Sequence, residues 1–585
     1  VDIPRTPGKI TRKKLSAGTY IYYEYSREYD KLKKFNVPKR VCIGKQDPSD
    51  DARMFPNGKY PDFFPSETEV EHDCSRSSCL RAGTFILVRQ FAENLGLVPW
   101  LQRRFGDKDG GLILDLALYL LISARNAAQH YPDYAYNHPL FTPGMRIFGD
   151  TKVGTLFRDG IDRDDVIAFT EWWNESKDHR RRIYISYDST NKISQAGDIE
   201  LVEAGHAKDG PDGSPIVNIA IATDVCDAMP LFYEDYCGSI VDVSQFEQMV
   251  GKAQALGYRN IGFILDRGYF SRTNLEDLDR RKYSFLIMAK GRRSLVSSLV
   301  LAVKGTFEDT SGNTIWEYGV NGTTVEAKLY ANDRRARSFH IYYSAQKHAA
   351  ERSVFETRIK KMAGMLDRLL GRKCNDLNLD AYGKYFDLTF SDDDDHVLLM
   401  HSKNNEAIDD YIRYCGYFCL ISSEKMTARD ALLLYKSRDY SEKLFSADKT
   451  FTGSWAERIQ SVEALRSKIF IEFLALILRS RLHHAINGHI VATGRRPNYM
   501  NVVSVLGELE KIELIRIGDG VYRLDHAITA RQKDILSVFG LGADDMKDRC
   551  RALSQSLAVI DNRKVRTEAD PDIYDDTADD ESGEE

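Results

Sequence analysis

The 585-residue chain has no apolar run long enough to cross a membrane. Its two most apolar stretches, 111–123 and 469–478, are short of a span and are interrupted by Asp115 and Glu472. They are predicted to be buried helices, and no membrane partner is expected. Val1 to Lys14 contains no apolar segment of the kind a secretory leader needs. Nine cysteines, an odd number, follow no disulfide-framework spacing, which points to a reducing cytosol. His72, Cys74 and Cys79 lack a local fourth ligand for zinc. There is no internal repeat. A surplus of positive charge is also missing, since the net charge is −6.

That deficit is local. Glu568 to Glu585 holds ten carboxylates and no Lys or Arg, and without it the remainder carries +4. Residues 567–585 therefore read as an acidic, disordered tail. Basic clusters stand at Arg12-Lys13-Lys14, Arg180-Arg181-Arg182, Arg292-Arg293, Arg334-Arg335 with Arg337, and Arg495-Arg496. Each alone is an ordinary solvated face. Together with nearby aromatics they fit patchwise contacts to phosphates.

The densest chemistry lies between residues 180 and 450. Ile183 to Tyr187 reads as a strand leading into Asp188. Strands follow at Ile216–Thr223 and Leu231–Tyr236, then a helix at about Ser244–Leu256. A strand at Ile261–Leu265 ends in Asp266. A helix at about Thr273–Arg281 and a strand at Ser284–Ala289 complete the series. Strand ends beside crossovers are where α/β sheets place chemistry. A lone Asp after a strand is usually a turn former, and Asp198, Asp209, Asp212 and Asp224 are read that way.

Downstream, Thr427 and Asp430 read as a helix start, followed by Ala431 to Leu434. At about 100° per residue, offsets of three, seven and fourteen bring Tyr435, Arg438, Glu442 and Lys449 to one helical face. The plain reading is an exposed amphipathic helix with an Arg438–Glu442 ion pair. The functional reading has Asp188, Asp266 and Glu442 converging. Two carboxylates about 4 Å apart repel by roughly 4 kcal/mol at an effective dielectric near 20, so three need protons or cations. Hard oxygen ligands select Mg²⁺ or Mn²⁺. Two such ions would be bridged by Asp188, with Asp266 and Glu442 completing one site each.

Asp188, Asp266 and Glu442, with the Y-x2-R-x3-E-x6-K spacing of Tyr435, Arg438, Glu442 and Lys449, resemble the DDE transposases of prokaryotic insertion sequences. The subgroup is the one named for its Y-R-E-K signature. Asp266-Arg267-Gly268-Tyr269-Phe270 resembles its second-aspartate motif. Gly205-His206-Ala207-Lys208-Asp209-Gly210, Pro230-Leu231 and Asp242 resemble its inter-aspartate region, with His206-Ala207 where an aromatic residue and a serine are usual. Ile43-Gly44-Lys45 is a further match.

The resemblance implies an α/β fold. Its RNase H-like mixed-sheet catalytic core would carry a β-rich insertion before the catalytic Glu helix, flanked by helical N- and C-terminal regions. It implies metal-dependent nicking of double-stranded DNA at the element's terminal inverted repeats, then strand transfer into target DNA by a homodimer in a synaptic complex. Tyr435 and Arg438 would grip a terminal phosphate, and Lys449 another backbone position. Localisation would be cytoplasmic, at the nucleoid.

The expected organisation is a strand-rich segment over 1–66 and a helical, DNA-end-binding region over 67–178. The core spans 179–452, with its insertion at about 295–424. Residues 455–560 form a helical, winged region in which Ile512 to Leu524 is a hairpin. The alternatives are an RNase H-like nuclease that cuts without joining, and a domesticated DNA-binding protein without catalysis. The latter would be expected to lose one of the three acids.

Overall fold

The computed structural model describes residues 2–566 apart from 7–8, 16–17, 31–33, 49, 58, 61–62, 65–75, 124–126, 195–198, 206–210, 212, 241, 290–293, 334, 375–378, 392–395, 439–455, 458–460 and 517–519. It divides into two compact units, 1–166 with 448–585, and 167–447.

In the first unit, β1 (Ile10–Leu15), β2 (Gly18–Asp30), β3 (Phe35–Asp47) and β4 (Asp50–Pro56) form an antiparallel sheet in that order. Ile21, Ile43, Met54 and Tyr60 are its small core. β5 (Cys79–Arg81) pairs with the strand Glu513–Arg516, which forms a hairpin with Tyr522–Leu524. The two apolar stretches lie within the helices Leu97–Ile122 and Val462–Thr493, where Leu112 to Leu121 and Ile469 to Leu478 are buried. Among the described residues no helix is long and apolar enough to cross a membrane, and no disulfide joins the described cysteines.

The second unit is built on one twisted sheet. Its strands are β6 (Ile183–Ser194), β7 (Glu203–Gly205), β8 (Ser214–Asp224), β9 (Met229–Cys237), β10 (Ile261–Leu265) and β11 (Ser284–Met288), with β12 (Thr314–Ile315), β13 (Val320–Ala327) and β14 (Arg337–Tyr343). A separate two-stranded sheet holds β15 (Phe386–Phe390) and β16 (Leu398–Lys403), and β17 (Tyr417–Ser422) returns to the large sheet. From β9 the order runs β9-β8-β6-β10-β11-β17-β14-β13-β12. β6, β10 and β11 are mutually parallel, and β8 and β9 antiparallel to their neighbours. The crossovers pass through the helices Asp242–Ala255 and Arg272–Arg280.

Every residue of β10 is buried, as suits a strand covered on both faces. Its period-two alternation sends Ile261, Phe263 and Leu265 into a core with Phe246, Met249, Val250 and Ala253 of the helix Asp242–Ala255. Ile264 goes to the other face, against Ala428, Ala431, Leu432 and Tyr435. Those four residues lie at i, i+3, i+4 and i+7, the apolar stripe of one helix.

Within the expected β-rich insertion, β12 stops at Ile315, because Tyr318 N donates back to Ile315 O in a turn. β13 follows from Val320 to Ala327 and pairs antiparallel with β14. β14 and β17 attach the stretch before the helix Ala428–Lys436 directly to β11.

Candidate active site

β6 and β10 run parallel with Leu265 opposite Tyr187 as their last registered pair. The next residues are Asp188, still paired within β6 to Ile221, and Asp266, which leaves β10. Neighbouring strands lie about 4.8 Å apart. The two aspartate positions, 78 residues apart in sequence, are therefore side by side in backbone register at the carboxyl end of the parallel strands. The side chain of Asp188 lies outside the described residues.

Asp266 follows Leu265 and so takes the same face as Ile264, the face covered by the helix Ala428–Lys436. There its carboxylate lies 3.6 Å from Arg438 Nη1. The Arg438 side chain is only 6% exposed and that of Asp266 39%. The guanidinium also stacks over the Tyr435 ring, 5.1 Å from its centroid. Behind Asp266 the chain makes a tight turn in which Tyr269 N donates to Asp266 O. The Tyr269 ring anchors this turn at 5.4 Å from Tyr187 and 5.8 Å from Phe246. Arg267, exposed beside Asp266, opens onto a cavity of about 440 Å³ walled by Lys347, Tyr411, Tyr414, Tyr417 and Phe418.

Thr427 caps the helix Ala428–Lys436 as expected. Its hydroxyl accepts from Asp430 N and donates to Asp430 Oδ2, so the reciprocal bond runs between side chains. The expectation of one helical face from Tyr435 onward needs correction over the described residues. The helix ends at Lys436, before Arg438. Ser437 donates its hydroxyl to Leu434 O, and Arg438 N donates to Tyr435 O, a bond three residues back that tightens the last turn. Tyr435 belongs to the buried stripe, 3% exposed, not to a solvent face.

Glu442 and Lys449 lie outside the described residues, as do His206 to Gly210, His72, Cys74 and the acidic tail. Among the described residues no trio of His, Cys, Asp and Glu gathers to hold a metal. Asp266 carries hard carboxylate oxygens that remain accessible, and the residue adjacent to it in backbone register, 188, is also an aspartate. These donor types suit Mg²⁺ or Mn²⁺. Sequence reasoning missed the Asp266–Arg438 pair. No local signal joins residues 172 positions apart, and the i,i+4 spacing to Glu442 pointed elsewhere.

Residues 194–478 match the family model described as transposase DDE domain. The match contains Asp266 and Glu442 and begins six residues after Asp188. No curated protein matches the chain. Among solved structures, a cryo-EM structure of a piggyBac transposase synaptic complex with hairpin DNA aligns at 7% identity and a TM-score of 0.34, covering 83% of this chain and 82% of that one. The domain match over 194–478 supports a DDE transposase, a class of protein that acts in DNA transposition and recombination.

Proposed function

We propose that the chain is the transposase of an insertion sequence, with an RNase H-like core and a catalytic set of Asp188, Asp266 and Glu442. The observation that carries this reading is the side-by-side placement of positions 188 and 266 at the carboxyl end of two parallel strands. The strand order β9-β8-β6-β10-β11, an antiparallel meander continued by two parallel strands, supports the RNase H-like assignment.

The three carboxylates would hold two Mg²⁺ or Mn²⁺ ions. When bound, the ions supply Lewis-acid activation of the attacking oxygen and charge stabilisation of the leaving one. The chain's own residues do the rest. Arg438 sets the carboxylate of Asp266 and offers a cation to a phosphodiester entering beside it. Tyr435 backs that guanidinium from the core. Lys449 is assigned a further backbone phosphate.

In the first step water displaces the 3′-oxygen from a phosphodiester at the element's end, leaving a 3′-hydroxyl and a 5′-phosphate. In the second, that hydroxyl displaces a 3′-oxygen from another phosphodiester. One P–O bond forms as one breaks, so no external energy source is needed. The partners are double-stranded DNA bearing the terminal inverted repeats, target DNA, and a second copy of the chain in the synapsis. The subgroup with the Y-R-E-K signature and a nucleoid location belong to the same proposal.

The test is purified protein with Mg²⁺, a labelled duplex carrying the element's ends and a supercoiled target plasmid, beside a chelator control. Joined products are expected with Mg²⁺ and none with chelator. Cleavage without any joined product would leave the nuclease alternative in place.

A further inference from the structure

The strands β2 and β3 are thirteen residues each, whereas β1 has six and β4 seven. β1 accompanies β2 only over 18–23, and β4 accompanies β3 only over 44–47. Residues 24–30 and 35–40 therefore pair with each other alone among the registered strands. They form a two-stranded ribbon roughly 20 Å long at about 3.4 Å per residue. Such a ribbon is marginally stable in water unless something covers it.

Its chemistry indicates what covers it. Tyr25, Tyr29 and Phe35 are 45%, 62% and 56% exposed. Ion pairs brace the ribbon, across the strands from Arg40 to Glu24 and from Lys39 to Glu28, and along β2 from Arg27 to Glu24. Lys34 stands exposed at the turn with φ 57°. Residues 1–64 hold fourteen Lys and Arg against eight Asp and Glu, in a chain whose overall charge is −6. The charged side chains along both strands disfavour edge-to-edge pairing with another strand. They favour a polyanion. Two strands about 4.8 Å apart fit the major groove of B-DNA, about 12 Å wide.

We propose that the β2–β3 ribbon is a DNA arm that enters a groove of duplex DNA, with Lys34 on a phosphate and Tyr29 and Phe35 against the groove wall. This rests on the transposase reading and adds a contact surface that the reading does not supply.

The experiment measures binding of the full chain to a labelled duplex of arbitrary sequence by fluorescence anisotropy, across NaCl concentration and without divalent ions. Lys34→Gly removes one charge and suits the positive φ, so folding is preserved. It is expected to weaken binding about fivefold near 0.15 M salt and to reduce the slope of log K against log salt by about 0.9. Tyr29→Ala with Phe35→Ala is expected to weaken binding by about tenfold with the thermal midpoint unchanged.

Wild-type affinity and slope in both variants would overturn the arm. So would a loss of self-association, read by sedimentation, with DNA binding intact, because the ribbon would then be a contact between copies. A wild-type chain that joins DNA while both variants bind normally sinks the arm alone. A wild-type chain that does not bind duplex sinks both readings.

Discussion

Asp266 and Arg438, 172 residues apart, face each other at 3.6 Å, with the guanidinium buried and the carboxylate open to solvent. A cation already occupies one side of the carboxylate proposed to hold a metal. Arg438 thus compensates the charge of Asp266 before any ion arrives, and an arriving ion competes with it.

That competition has a measurable consequence. Arg438→Gln keeps a polar side chain and removes the charge. Mn²⁺, followed by calorimetry, is expected to bind a few-fold more tightly to this variant. Its cleavage rate is expected to fall by about tenfold or more, as for the loss of a preorganised cation beside the reacting phosphate. Unchanged Mn²⁺ affinity would mean that Arg438 does not compete for Asp266.

A second expectation concerns His340 on β14. Its ring lies between Thr324 Oγ1 and Ser422 Oγ, 2.9 Å from each. Burial pushes its pKa down to about 4. The unfolded chain takes up this proton near pH 6.5 and the folded chain does not until about pH 4. The unfolded state therefore binds more protons within that window. Stability from this group is complete above about pH 6.5 and is lost as pH falls towards 4, by up to about 3 kcal/mol. Urea midpoints at several pH values should show the decline, and His340→Gln should flatten it.

Asp115 carries the opposite sign. Its buried carboxylate accepts from Phe141 N at 2.6 Å, Thr142 N at 3.0 Å and Thr142 Oγ1 at 2.6 Å. Burial outweighs these donors and raises its pKa to about 7. Between about pH 4 and 7 the folded state holds the extra proton, so this contribution falls as pH rises. Asp115→Ala strands three donors in the interior and is expected to cost about 2–4 kcal/mol in denaturant unfolding. A cost under about 0.5 kcal/mol would show that the loop relaxes around the loss.

Much of the sheet could be read from the chain. β10 was bounded by its run of apolar residues between Asn260 and Asp266, and β6, β8 and β9 by alternating or continuous apolar stretches. The adjacency of Asp188 and Asp266 was legible because each directly follows the run Ile183–Tyr187 or Ile261–Leu265, and the two runs pair in parallel. The end of the helix at Lys436 was not. Neither Pro nor Gly marks it, and the stop comes from the hydroxyl of Ser437 competing for a backbone carbonyl. By its spacing to Arg438, Tyr435 points to a functional face. Its equally regular spacing from Ala428, Ala431 and Leu432 is what the fold uses. The strand-rich character of 1–66 was legible but the length of the β2–β3 ribbon was not, because the charged residues Arg27, Glu28 and Asp30 interrupt the alternation in β2.

The most direct test of the central claim is Mg²⁺-dependent nicking of an end-bearing duplex by the wild type, Asp188→Asn and Asp266→Asn, with duplex binding measured in parallel. Nicking by the wild type alone, with all three proteins binding DNA alike, is the expected result. Nicking that survives either substitution, or that proceeds without a divalent ion, would contradict the account.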